Sequence, residues 1–389
     1  MFAAEKDFSV YYHNLSYYKL PEFNPGFDLI IFHTSLLAER WDDINFQDLK
    51  IRIMNCKWLY STYSVALPQD EFYKGSELDK LFVSLNIDLI LGLIPSHEFR
   101  KIYPFSGRKS SYMQVLPFYL QKKKIPTFLR SFRKRKIDLS YRAWAAEPWL
   151  GQVARDKLNI LRLGDFLKDT EISTDLSCDR DEQLENAAWL RLLKNSRWTL
   201  VTPGGASIND SHGLLRDMYL KSGFPNRNVL DFDSSYEKLN FAQYDFSLDL
   251  SVITPRILEA ASCGTALIGF PSAYNDKLLP GVHYFPIERD FSNLDNLIGV
   301  LNDERIYNFY KTNLQKLIFN DDYFNLDSFL SKFKDRIGYF PKRSLTISVY
   351  FFFRLLRFRF FNFYSQILVL LRFSFIAKVF EKIKIELFS

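Results

Sequence analysis

Cysteine is scarce in this chain. Its three cysteines, Cys56, Cys178 and Cys263, are far apart and odd in number, which leaves neither a disulfide framework nor a zinc-ligand spacing. A reducing, cytoplasmic setting is expected. No clean apolar run reaches the ~18 residues of a membrane-spanning helix. Nor is a secretory leader expected, because Met1–Val10 is mixed and charged. The phosphate-binding signatures GxGxxG and the P-loop are missing, and no G-x-S-x-G nucleophile elbow is formed. Charge of one sign is not spread over the chain either. The net charge of +6 is concentrated in two basic zones on a near-neutral body, which argues against a general nucleic-acid binder.

What is present suits two α/β domains. A length of 389 residues is comfortable for two hydrophobic cores. Hydrophobic content of 47% and charged content of 25% are ordinary, whereas 17% aromatic residues, 38 of them Phe, is high. Strand-like runs at Asp7–Tyr12, Asp28–His33, Lys57–Tyr63 and Ile87–Gly92 alternate with helical spacing such as Leu78–Leu85, which predicts a parallel sheet. A second series begins with the strand Ile137–Arg142 and a helix opened by Pro148. In such sheets ligands sit at the carboxyl ends of the strands. His33 and the run Gln69–Glu71 fall there, with His33 and Asp70 as candidate catalytic groups or as simple turn and cap residues.

The chain is organised around Thr254–Phe270 (TPRILEAASCGTALIGF). Pro255 suits a first helical turn, Gly264 suits the residue after a helix, and Thr265–Phe270 reads as a buried strand. Arg256 and Glu259 are three apart, hence neighbours on one helix face. They are either a surface ion pair or the parts that hold a phosphorylated ligand, with Arg on phosphate and Glu on ribose hydroxyls. A second constellation, Arg197–Gly213, runs from a strand into a loop with Gly204, Gly205, Ser207, Asn209 and Asp210, where glycine allows close backbone approach to an anion.

The stretch RILEAASCGTALI, the following SAYNDKLLPGVHYFPI and the pattern GGAS…D resemble the "glycosyl transferases group 1" families, glycosyltransferase family 4-like proteins of the two-domain GT-B fold. That resemblance covers most of Ser9–Ile337 and implies a nucleotide-sugar donor on the second domain and an acceptor on the first. It places Glu259 on ribose, Arg256 and Arg142 on phosphate, Gly204, Gly205, Ser207 and Asp210 at the donor, and His283 near it. Arg155 and Lys157 follow Arg142 as diphosphate candidates. Many relatives carry a second Glu eight positions before the first; here that position is Ser251. The family's usual first β-α unit is not expected within this sequence, either because Met1 is a misassigned start or because the unit is absent.

The domain organisation expected is residues 1–121 as an acceptor domain, 122–136 as a basic linker, 137–324 as the donor domain, 325–340 as a crossing helix and 341–389 as a tail. In that tail, thirteen Phe or Tyr interleave with Arg354, Arg357, Arg359 and Arg372, a pattern suited to an amphipathic anchor on an anionic membrane surface. The implied activity is metal-independent glycosyl transfer to a cell-surface glycan or lipid-linked acceptor, as in polysaccharide or lipopolysaccharide assembly. No cofactor is needed, because the nucleotide-sugar is a substrate, and no nucleic-acid partner is expected. The location implied is the cytoplasmic face of the plasma membrane. A non-catalytic GT-B-like binding protein and a GT-B-type nucleotide-sugar epimerase remain as alternatives.

Overall fold

A computed structural model describes residues 8, 10–15, 20–22, 24, 26–121 and 129–338. Two parallel sheets form its frame. The first contains β1 (Leu29–Phe32), β2 (Tyr63–Ala66), β3 (Leu89–Gly92) and β4 (Ser111–Gln114), paired in that order. The second contains β5 (Ile137–Arg142), β6 (Thr174–Ser177), β7 (Ser196–Val201), β8 (Ala266–Gly269) and β9 (Phe285–Pro286), in the order β6-β5-β7-β8-β9. Every pairing is parallel, so the architecture is the two Rossmann-like domains expected. Strand order reverses only in the second sheet, between β5 and β7. Loops leaving those two strands diverge, and this is where an open α/β sheet forms a ligand crevice.

The segment Thr254–Phe270 folds as its residues dictate. Pro255 is the first residue of the helix Pro255–Cys263, Gly264 closes it at φ 65°, ψ 34°, and β8 follows fully buried. Ile257, Leu258, Ala260 and Ala261 face the core. Across the molecule, the helix Leu326–Ile337 lays Leu326, Phe329, Leu330, Phe333 and Ile337 against Val65, Leu89 and Leu91 of the first sheet and Val115 just after it. That spacing is a single apolar helix face, and each such burial is worth roughly 1.5–3 kcal/mol. No described helix is long and apolar enough to cross a membrane.

Several local expectations are corrected. The described residues between Phe8 and Tyr12 contain no strand. Lys57–Ser61 is a 3-10 turn and the strand begins at Tyr63. The hydroxyls of Ser61 and Thr62 donate to the Trp58 carbonyl at 3.1 and 3.0 Å, offering the backbone an alternative to a ladder. The helix opened by Pro148 stops after one turn at Gly151 (φ 78°, ψ −159°), and a new helix, Gln152–Asn159, starts there. Asp245 and Ser207 cap it from outside, accepting from Gln152 N and Val153 N. A Cβ at Gly151 would lie 2.4 Å from Ser207 Oγ, so close approach demands glycine here. In the basic segment, Arg135 is not solvated. It is buried and donates to the carbonyls of Leu193, Ser196 and Cys263 and to Thr265, which makes it part of the second domain. Residues 122–128 and the tail 341–389 lie outside the described residues.

Candidate active site

The two sheets meet along the loop that follows β2. Tyr73 bridges Asp210 in parallel fashion, Lys74 N donates to Asp210 O at 3.0 Å, and Ser76 Oγ donates to Ser211 O at 2.7 Å. Trp149 packs against Tyr73, Phe72 and Trp41 with centroids 5.5, 6.1 and 6.3 Å apart. Buried Arg40 shapes the loop, donating to the carbonyls of Leu37, Gln69, Asp70 and Tyr73 at 2.5–2.9 Å. Its grip holds Asp70 at φ 52°, a left-handed conformation that costs a non-glycine residue about 1–3 kcal/mol. Burial raises the Asp70 carboxyl pKa, while the cations Arg40 and Lys157 pull it down. Asp70 of the first domain and Lys157 of the second therefore lie within electrostatic reach of each other.

Lys157 lies on the helix that follows β5 and is half-buried. Burial and repulsion from Arg256 lower its pKa to about 8, with Asp70 and Cys178 acting in the opposite sense. Among the described residues neither Lys157 nor Arg256 has an ion-pair partner. Arg256 lies with its guanidinium 5.7 Å from the Trp189 ring centroid. Glu259, one turn later, accepts from Trp189 Nε1 at 2.7 Å. Two cations held in no ion pair and one carboxylate thus lie where the segments leaving β5 and β7 run. Positive charge held in this way is able to accept a polyanion.

The other residues singled out by sequence are placed as follows. Arg142 is held by Asp175 at 2.6 Å and by the carbonyls of Tyr141, Asp175 and Glu182, so its guanidinium is fully engaged at the β6 side. Arg155 forms a two-pronged pair with Asp233, at 2.5 and 2.7 Å. Gly204 exchanges backbone bonds with Val252, and a Cβ on Gly205 (φ 105°) would come 2.4 Å from Leu250 O. Both glycines are thus required by packing against the segment before the helix Pro255–Cys263. Ser207 caps Val153 N at 3.4 Å, and Asp210 caps Leu215 N and Arg216 N at 3.2 and 2.9 Å. His283 accepts from Leu279 N at 3.0 Å inside its own turn. His33 is exposed and its Nδ1 accepts from Ser35 N, capping a short helix. Ser251 is tied to Ser272 at 2.8 Å.

Sequence reasoning passed over Trp189 and Arg40, and placed Glu71 at the strand ends without giving it a role. Glu71 is fully buried beneath the cleft loop, accepting from Leu93 N at 2.7 Å and Tyr103 OH at 3.0 Å. Burial raises its pKa to about 7. Its position immediately after Asp70 was the available signal. For Trp189 there was none beyond its helix.

A two-domain α/β protein with an unpaired cationic crevice at its second sheet is the class these features define. No family model and no curated protein matches the chain. Solved structures of glycosyltransferases resemble it distantly. TarM shares 8% identity at a TM-score of 0.43, over 74% of this chain and 52% of its own. Anabaena HepE in complex with UDP-glucose shares 11% at 0.42, over 80% of this chain and 78% of its own. A Rickettsia africae glycosyltransferase shares 8% at 0.27, over 81% and 98%. The chain therefore spans about half the length of TarM (52%). At such identities no residue role carries over from any of them.

Proposed function

We propose that this chain is a GT-B glycosyltransferase of the group 1 type, moving a sugar from a nucleoside-diphosphate sugar to a glycan or lipid-linked acceptor. The observation that carries the reading is the pair of cations held in no ion pair, Lys157 and Arg256, with Glu259 beside Arg256 at the strand-order reversal. During transfer the anomeric carbon gains positive charge and the departing diphosphate gains negative charge. Lys157 and Arg256 neutralise the diphosphate, which is the role a divalent ion plays elsewhere, and Glu259 accepts from ribose hydroxyls. Asp70, across the cleft and with its pKa raised by burial, is the better placed of the two acceptor-base candidates; exposed His33 is the other. The acceptor class, metal independence and a peripheral membrane location through the 341–389 tail belong to the same proposal.

The test is thermal unfolding of the full chain with UDP, GDP, ADP and CMP, beside Glu259→Ala and Arg256→Ala. A ligand at about 100 times its dissociation constant adds roughly 2.7 kcal/mol. One nucleotide is expected to stabilise the wild type and neither variant. If a folded wild type responds to none, the donor site is not where these residues are. Turnover of donor without acceptor would instead indicate the epimerase.

A further inference from the structure

Arg256 and Glu259 lie one helical turn apart, at the spacing where opposite charges normally pair. They do not pair here. Trp189, on the helix Asn186–Asn195, stands against both. It is 8% exposed, so its ring is fixed in the core between the two helices. Its indole N–H, a donor with no charge, satisfies Glu259 Oε2 at 2.7 Å. Its ring face holds the Arg256 cation at 5.7 Å without a counter-ion. An Arg–Glu pair would cancel both charges and withdraw the fork from a phosphate. A neutral donor and a π-face satisfy the same two groups and leave their charges available.

We infer that Trp189 is a positioning residue that keeps Arg256 and Glu259 from pairing with each other, leaving the cation for the diphosphate and the carboxylate for the ribose. This rests on the donor-site reading above. It adds a residue 70 positions away from Glu259 to that site, and it separates two functions of one side chain. The N–H serves the hydroxyl-binding end, and the ring serves the phosphate end.

Isothermal titration with the full-length protein separates the two, using inorganic pyrophosphate, the nucleoside diphosphate among UDP, GDP and ADP that binds wild type, and its 2′,3′-dideoxy form. Trp189→Phe keeps a ring and loses the N–H. It is expected to lose about tenfold in affinity for the ribonucleotide, the worth of one hydrogen bond to a charged group, while pyrophosphate and dideoxy affinities hold. Trp189→Leu loses the ring as well and should bind pyrophosphate about tenfold more weakly. Adding Glu259→Gln to Trp189→Leu should restore pyrophosphate binding, because the competing carboxylate is gone. A merely structural tryptophan gives no such rescue, and failure of rescue overturns the inference.

Equal loss of all three ligands in Trp189→Phe also overturns it. Should the tryptophan variants not fold, the indole N–H resonances of wild type and Glu259→Ala decide the matter. One signal must move upfield when its acceptor is removed, and no movement refutes the contact. A wild type that binds none of these probes refutes the donor-site reading and the inference with it. Binding by wild type with unchanged ligand preference in Trp189→Phe refutes the inference alone.

Discussion

Raising the pH from 7 to 9 should weaken nucleotide binding about tenfold, through Lys157. In the nucleotide-free protein this ammonium titrates at about 8 rather than 10.5, first because it is buried and second because Arg256 repels it. A bound diphosphate keeps the ammonium protonated well above that value. Binding at pH 9 must therefore be accompanied by proton uptake, and the apparent dissociation constant grows as 1 + 10^(pH − 8), from about 1.1 to about 11 in relative terms. The stability effect has the opposite sign. Between about 8 and 10.5 the unfolded chain binds the proton and the folded chain does not, so this residue's contribution to stability rises with pH across that window. Holding the ammonium in place at pH 7 costs on the order of 3 kcal/mol, so Lys157→Met should stabilise the nucleotide-free fold while abolishing nucleotide binding. Titration calorimetry at pH 7, 8 and 9 at fixed ionic strength, with Lys157→Arg as the always-charged control, measures the first effect. A flat wild-type profile, or the same slope in Lys157→Arg, would refute the reasoning.

Two more outcomes are expected. Glu71 is held at about 7 by burial, above its ordinary 4.5, so its stabilising contribution is full below 4.5 and is lost as pH rises to 7, on the order of 3 kcal/mol in all. Glu71→Gln, which keeps an acceptor for Leu93 N, should gain melting temperature on the wild type between pH 5 and 8; a gap that stays constant with pH would show that Glu71 is ionised in the fold. The tail 341–389, with nine Lys or Arg against two Glu among its aromatics, should carry the full chain to vesicles containing anionic lipid and not to neutral ones, measured by co-sedimentation in 0.1 M salt. Equal pelleting with both, or with neither, would remove the membrane surface from the proposal.

Much of the frame was legible in the sequence because it is locally encoded. Ile137–Arg142 is a strand at its expected bounds, Pro255 and Gly264 delimit the helix that carries Arg256 and Glu259, and Leu326–Ile337 shows its apolar face at a period of 3.6. Where local chemistry competed, the pattern misled. Lys57–Ser61 has strand-like composition, yet the Ser61 and Thr62 hydroxyls turn it back on Trp58. Gly204 and Gly205 resemble a ligand loop, and the structure gives each a packing partner in the segment 250–254.

What sequence alone determined is therefore the helix that carries Arg256 and Glu259 and the strand after it, since propensity, capping and apolar period act over a few residues. Only the tertiary structure decided which charges are free. Arg142, Arg155 and Lys157 are three similar cations to a reader of the sequence. Asp175, 33 positions from Arg142, and Asp233, 78 positions from Arg155, pair with the first two, whereas Lys157 joins no ion pair and feels Asp70 only from beyond contact distance. Trp189 likewise reaches Glu259 across 70 positions. Charge pairing depends on distances of a few ångströms, and those distances are set by how sheets and helices stack, not by separation along the chain.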